Sequence, residues 1–293
     1  MAHYHRRELI KQLVAGGFAM GALPSLAATL PFSPKNETKL KNNIKHSVCR
    51  WTYGFMPLEQ LCTTIKEIGF SAIDLVGPGD WATLKKHGIH SSMCNGAEIS
   101  LTEGWNDPQY HGRLVDNYLK HIDLVADAGY QNLICFSGNR KGMDDATGLK
   151  YSSDGLKKIM SKAEKRGVTI IMELLNSKVD HKDYMCDHTA WGVELAKSIG
   201  SPNFKLLYDI YHMQIDEGDV IRTIQQSHPY IGHYHTGGVP GRHEIDESQE
   251  LFYPAIIKSI VATGFKGYLA QEFIPVATDK VASLRKAISI CDV

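Results

Sequence analysis

Residues 204–235 read FKLLYDIYHMQIDEGDVIRTIQQSHPYIGHYH, and the fold turns on how that stretch is parsed. Phe204-Lys-Leu-Leu-Tyr-Asp209 is a short apolar run closed by an acid. A pattern with apolar residues at helical spacing follows over 218–226, and Ile231-Gly-His233-Tyr-His235 opens a second apolar run. Strand, crossover helix and strand in that order make the βα unit of a parallel sheet. The unit recurs in both directions along the chain. Strands are expected at 46–51, 72–75, 90–94, 132–136, 169–174, 204–208, 231–235 and 267–271. Helical patterns are expected at 57–68, 81–87, 107–128, 153–166, 189–199, 218–226 and 254–263, with a closing helix at 282–290. Six glycines, at 69, 88, 129, 167, 200 and 264, each fall just after a helix, where a left-handed cap is wanted. Eight units of about 33 residues suit a single-domain (β/α)8 TIM barrel over 46–293. An open doubly wound sheet would want a glycine-rich phosphate loop after its first strand, and this sequence has none there.

Composition narrows the function. The 293 residues carry 32 Lys+Arg against 32 Asp+Glu, so no basic excess is available to neutralise a nucleic-acid backbone. With 43% hydrophobic and 22% charged residues the chain has the balance of an ordinary globular protein with a substantial core. A mean hydropathy of −0.22, and no long apolar span beyond the N-terminus, exclude a polytopic membrane protein. The cysteines, at 49, 62, 94, 135, 186 and 291, form no CxxC pair and no dense framework, so neither a zinc ribbon nor a disulfide scaffold is indicated. At the N-terminus, His5-Arg6-Arg7-Glu8-Leu9-Ile10-Lys11 precedes a short glycine-rich apolar stretch over 13–23 and then Pro24-Ser25-Leu26-Ala27-Ala28. Charge, then weak apolarity, then small residues is the order of an export signal, here of twin-arginine type. Residues 1–27 are expected to be that signal, cleaved after Ala27, and 28–45 a polar linker. The expected location is the periplasm, or the cytoplasm if the leader does not function, with no stable membrane insertion after processing.

In a TIM barrel, function gathers at the C-terminal ends of the strands. The later strands end in Glu173, in Asp209 with His212 three residues on, in the pair His233 and His235 on one strand face, and in Glu272. Each falls about one βα unit after the last, so Glu173, Asp209, His235 and Glu272 can converge above the barrel mouth. Three carboxylates with too few lysines or arginines nearby call for a cation. Oxygen ligands plus one imidazole, without thiolate, suit Mn²⁺ or Mg²⁺ and also admit Co²⁺ or Zn²⁺.

With Glu173-Leu-Leu-Asn176, Asp209-Ile-Tyr-His212, His233-Tyr-His235, Val239-Pro-Gly-Arg242-His-Glu244 and Glu272 in that order, the sequence resembles the xylose-isomerase-like TIM-barrel superfamily. Within it the resemblance is to the hydroxypyruvate isomerase and ketose 3-epimerase branch. It implies that Glu173, Asp209, His235 and Glu272 bind one Mn²⁺ or Mg²⁺. It also implies that Glu173 and Glu272 are the acid/base pair, and that His212 and Arg242 contact substrate oxygens. The sequence departs from the pattern at Leu174, where the family commonly has Pro, and at Val179, where 3-epimerases often carry a second Glu. His235 stands where hydroxypyruvate isomerases often have Gln.

That residue set suits proton transfer beside a carbonyl. One carboxylate removes a carbon-bound proton, a second returns one to the neighbouring carbon, and a cation holds the charge of the enediolate. His212 would donate to the substrate oxygen, and Arg242 would supply a fixed cation. His243, Glu244 and Trp105 are further candidate substrate contacts, and Trp51, Tyr53 and Phe136 join Trp105 as a candidate apolar wall. The expected function is a metal-dependent isomerase of a small hydroxy-carbonyl compound or sugar. Alternatives are a periplasmic lyase acting on 3-keto-glycosides or a sugar 3-epimerase, with an apurinic-site endonuclease or a non-catalytic sugar-binding relative further off. The partner is a small molecule; nucleic acid is not expected, and a homo-oligomer is compatible.

Overall fold

A computed structural model describes residues 40–293, so the expected signal and most of the expected linker lie outside the described residues. Eight parallel strands close into a barrel in sequence order, β1 pairing with both β2 and β8. They are β1 Lys45–Cys49, β2 Ala72–Val76, β3 His90–Cys94, β4 Asn132–Cys135, β5 Thr169–Glu173, β6 Phe204–Asp209, β7 Ile231–Thr236 and β8 Tyr268–Gln271. The helices are α1 Leu58–Ile68, α2 Trp81–His87, α3 His111–Asp127, α4 Asp145–Arg166, α5 Thr189–Ile199, α6 Ile210–Asp216, α7 Val220–Ser227, α8 Tyr253–Ala262 and α9 Lys280–Cys291. Among the described residues no helix is long and apolar enough to cross a membrane.

Local chemistry explains these elements. At the end of α1, Gly69 takes φ 112°, which costs glycine little, and its N–H closes back on Ile65 and Lys66. α4 begins eight residues before its expected start because Asp144 caps it, its carboxylate accepting from the Thr147 N–H at 2.8 Å. Gly148, inside α4, lets Met185 pack against the helix backbone. α6 was not expected at all. Asp209 creates it by accepting the His212 N–H at 3.2 Å, so the acid that ends β6 also starts a helix. β1 ends at Cys49, short of the expected Trp51, which instead opens a 3-10 turn, Trp51–Tyr53. Along β7 the period of two turns His233 and His235 into the barrel and Tyr234 outward, against Tyr208 and Phe265 in the helix layer. The two ends of the described chain meet below the barrel, where Lys41 N–H donates to Asp292 and Asn43 to the Val293 carbonyl.

Candidate active site

Strand register delivers the acids and the histidine. Asp209 pairs with His235 across β6 and β7, Glu173 with Leu207 across β5 and β6, and the Glu272 N–H donates to Thr236 O at 3.1 Å. Glu173, Asp209, His235 and Glu272 are all buried, and each offers one ligand atom within 4.8 Å of the other three. His235 Nδ1 is the centre of the group: it lies 2.8 Å from Glu272 Oε2, 3.4 Å from Glu173 Oε1 and 4.0 Å from Asp209 Oδ2.

The electrostatics follow from burial and from two cationic side chains. Burial pushes Asp209 up to about 8 and raises Glu173, with the neighbouring carboxylates adding to both. Burial acts in the same direction on Glu272, but Arg242 and His235 override it and hold that carboxyl well below its usual range. Burial alone would favour a neutral His235; Glu272 and Asp74 on its two sides reverse this and raise it. Glu173 Oε1 is buried without a hydrogen-bond partner. Three clustered carboxylates, one imidazole and an orphaned carboxylate oxygen form a donor set that fits a divalent cation.

Arg242 sits over this group in the left-handed region, φ 59°. Its guanidinium is held between the rings of Trp51 and Tyr211, 5.3 and 5.4 Å from their centroids. Its Nη2 bonds Glu272 and lies 3.3 Å from Asp209 Oδ2, while Trp51 Nε1 donates to Glu272 Oε1 at 2.8 Å. His212 is fully buried and held by Asn176. The Asn176 carbonyl oxygen accepts from the Val179 and Asp180 N–H groups, so its amide nitrogen faces His212 Nδ1, 2.6 Å away. Nδ1 is then the acceptor and Nε2 carries the proton. That Nε2–H has no partner and points toward the acids, 3.7 Å from Asp209 Oδ2. Burial and Arg242 lower the His212 pKa, so it is a neutral donor.

Above the group lies a pocket of about 270 Å³. Its polar lining is Glu173, His181, Arg242 and Glu272; Trp51, Leu75, Leu101, Phe136 and Leu175 form its apolar wall. Three candidate substrate residues lie elsewhere. Trp105 is fully buried, with its ring against Tyr118 and His111, because its backbone N–H is tied to Phe136 O. His243 is exposed and turned away, with Nδ1 3.1 Å from Ile274 O. Glu244 accepts from the Val276 and Ala277 N–H groups and the Ser283 hydroxyl, so it anchors the segment after β8. Tyr53 is also core, its hydroxyl donating to Lys280 O.

Two residues escaped the sequence reading. His181 lines the pocket beside His212, their rings 5.2 Å apart, but it sits in a loop with no motif around it. Asp74 is a wholly buried carboxylate on β2 that contacts both β7 histidines. Its one signal was an acid inside the otherwise apolar run Ala72-Ile-Asp-Leu-Val76.

The sequence profile of the xylose isomerase-like TIM barrel matches residues 62–289. A 2-oxo-tetronate isomerase of Pectobacterium atrosepticum is 32% identical over 223 residues, 71% of this chain and 83% of that protein. A 2-oxo-tetronate isomerase of Cupriavidus necator is 36% identical over 113 residues, 39% of this chain; the match spans 43% of that protein, less than half its length. Among solved structures, an AP endonuclease of family 2 from Brucella melitensis superposes with a TM-score of 0.70 at 23% identity, over 82% of this chain and 97% of that one.

Proposed function

The chain belongs to the xylose isomerase-like TIM-barrel family, and from that premise we propose that it is a divalent-metal-dependent isomerase of a small α-hydroxy carbonyl compound, of the hydroxypyruvate isomerase type. One observation carries the reading: Glu173 and Glu272 both line the pocket and both belong to the buried group of four that fits a cation. The cation, Mn²⁺ or Mg²⁺, would supply positive charge to the substrate oxygens when bound by Glu173, Asp209, His235 and Glu272.

The chain's own side chains divide the remaining work. Glu173 has a raised pKa and an unbonded oxygen, which suits it to take a carbon-bound proton. Glu272, oriented by Trp51 and Arg242 and held ionised, takes the proton of the substrate hydroxyl and gives it to the neighbouring carbon, while Glu173 passes the proton it removed to the former carbonyl oxygen. The His212 Nε2–H donates to the substrate oxygen on which charge develops. Arg242 presents a fixed cation, which suits an acid substrate such as those named by the 2-oxo-tetronate relatives. The apolar wall excludes water from the reacting carbons. The proposal includes export, which fractionation of cells carrying the full chain and an Arg6→Lys/Arg7→Lys variant would test.

A second reading, elimination from a 3-keto-glycoside, is favoured by Trp51 and Leu101. Both are partly exposed at the mouth, where an aglycone could rest. One experiment separates the two. The protein is incubated in D₂O with Mn²⁺ or Mg²⁺ and hydroxypyruvate, 2-oxo-tetronate, free ketoses or 3-keto-glucosides, chelated, and read by proton NMR with Glu272→Gln as control. Deuterium beside the carbonyl together with isomer supports the isomerase, and released aglycone supports the lyase. Metal-loaded protein that behaves like the control on every substrate refutes both.

A further inference from the structure

β2 carries an anomaly directly beneath the acids. Its pairing with β3 slips on both sides of Asp74, and the next residue, Leu75, takes φ 57°, a left-handed conformation that a leucine rarely adopts. Such a bulge re-aims side chains. Here Asp74 is fully buried and contacts His233 and His235, while Leu75 reaches the pocket wall.

The Asp74 carboxylate is surrounded by two imidazole nitrogens, a thiol and a hydroxyl, with no second carboxylate or carbonyl among these contacts. His235 Nε2 lies 3.0 Å from Oδ1, and the Cys49 thiol 3.8 Å from it. His233 Nε2 lies 2.8 Å from Oδ2, and the Ser92 hydroxyl donates to Oδ2 at 2.7 Å. An ionised carboxylate only accepts, so His235 must keep its proton on Nε2. When a cation replaces the second imidazole proton, the nitrogen with a lone pair to offer is therefore Nδ1, the one facing Glu173, Asp209 and Glu272. We propose that Asp74 is the positioning residue of the site: through its bonds to His235, and with His233 and Ser92 holding it in place, it fixes the tautomer and angle that present His235 Nδ1 to a divalent cation. This rests on the metal-dependent reading above.

Asparagine in place of Asp74 keeps the shape but offers only one acceptor to two histidines and a serine. If its amide group faces His235, the imidazole proton moves to Nδ1 and the ligand atom is lost. Loss of such outer partners typically weakens metal binding by about 10–100-fold.

The test is calorimetric titration of Mn²⁺ into wild-type full chain and Asp74→Asn. It is paired with ¹⁵N-histidine NMR of the Mg²⁺-saturated proteins, in which a His235→Gln sample identifies the His235 signals. The expected result is one ion per wild-type chain, a proton on His235 Nε2, and a dissociation constant raised by about 10–100-fold in Asp74→Asn. A merely structural Asp74 would lower the melting temperature and leave tautomer and affinity unchanged, which overturns the proposal. If Asp74→Asn does not fold, the wild-type spectrum decides: a proton on Nδ1 overturns it. Two ions per chain, the second held by Cys49, Asp74 and His235 Nε2, would also overturn it, because that nitrogen would then carry metal. Wild type that binds no divalent ion refutes the metal reading itself, a different failure from wild type and Asp74→Asn binding equally.

Discussion

His46 makes the fold sensitive to acid. It lies on β1 with its ring edge-on to Phe70, is buried, and has no hydrogen-bond partner at either ring nitrogen. Burial lowers its pKa from 6.5 to about 4, against a smaller opposing pull from Asp292. The folded state therefore resists a proton that the unfolded chain accepts below pH 6.5, and stability falls as the pH drops through that window. At about 1.36 kcal/mol per unit, the loss is about 2 kcal/mol by pH 5 and levels off near 3 kcal/mol below pH 4. His46→Leu removes the titrating group and fills nearly the same volume. Urea unfolding of both proteins with chelator present, at pH 7.5 and pH 5, isolates the effect, because the other titrating groups are common to both. The wild-type midpoint should fall further than that of the variant, by several tenths of a molar to about 1 M. Equal shifts in the two proteins would refute the reasoning and mean that His46 takes up its proton without unfolding.

The site and its supports yield further expectations. Glu272→Gln should lower metal-dependent proton exchange by about 10²- to 10⁴-fold, measured by deuterium incorporation, with the melting temperature retained. Trp51→Ala should reduce kcat/KM by about tenfold or more, since it removes a hydrogen bond to Glu272 and one side of the Arg242 sandwich. Trp105→Ala should do the reverse, costing about 3–5 kcal/mol of stability in a urea titration, because its ring is core. Gly138→Ala places a Cβ 2.5 Å from Asn106 Oδ1 and 2.6 Å from Gly104 N, at φ 90°. It should cost about 2 kcal/mol or more, read as a melting temperature lower by about 4–8 °C.

Where the sequence could be read and where it could not follows from the range of the interactions involved. Strand positions and barrel closure came through because apolar period and capping glycines are local, and α2 and α5 have their expected limits. The early start of α4 was missed because Gly148, Ser152 and Ser153 dilute its apolar pattern; packing against Met185 and the Asp144 cap settle the boundary. α6 was missed because it follows β6 without an intervening residue, so the apolar run of the strand continues into it and only the Asp209 cap marks its start. Glu173, Asp209, His235 and Glu272 could be picked out because strand ends in a closed barrel must converge. Asp74 could not, since its importance comes from a bulge and from histidines on a strand across the barrel, about 160 residues away. Trp105, His243 and Glu244 were placed at the mouth by position along the chain, but hydrogen bonds between neighbouring loops turn all three elsewhere.

The lacing of the segments after β7 and β8 has a bearing on redesign. Ile274 N–H donates to Arg242 O, His243 faces Ile274 O, and Glu244 gathers the Val276, Ala277 and Ser283 donors. The guanidinium and the carboxylate of Glu272 are thus carried on one interlocked piece whose fastener, Glu244, lies outside the pocket. A loop transplanted from a relative to alter substrate choice would have to bring both segments together with that glutamate; exchanging either alone would leave Arg242 unmoored.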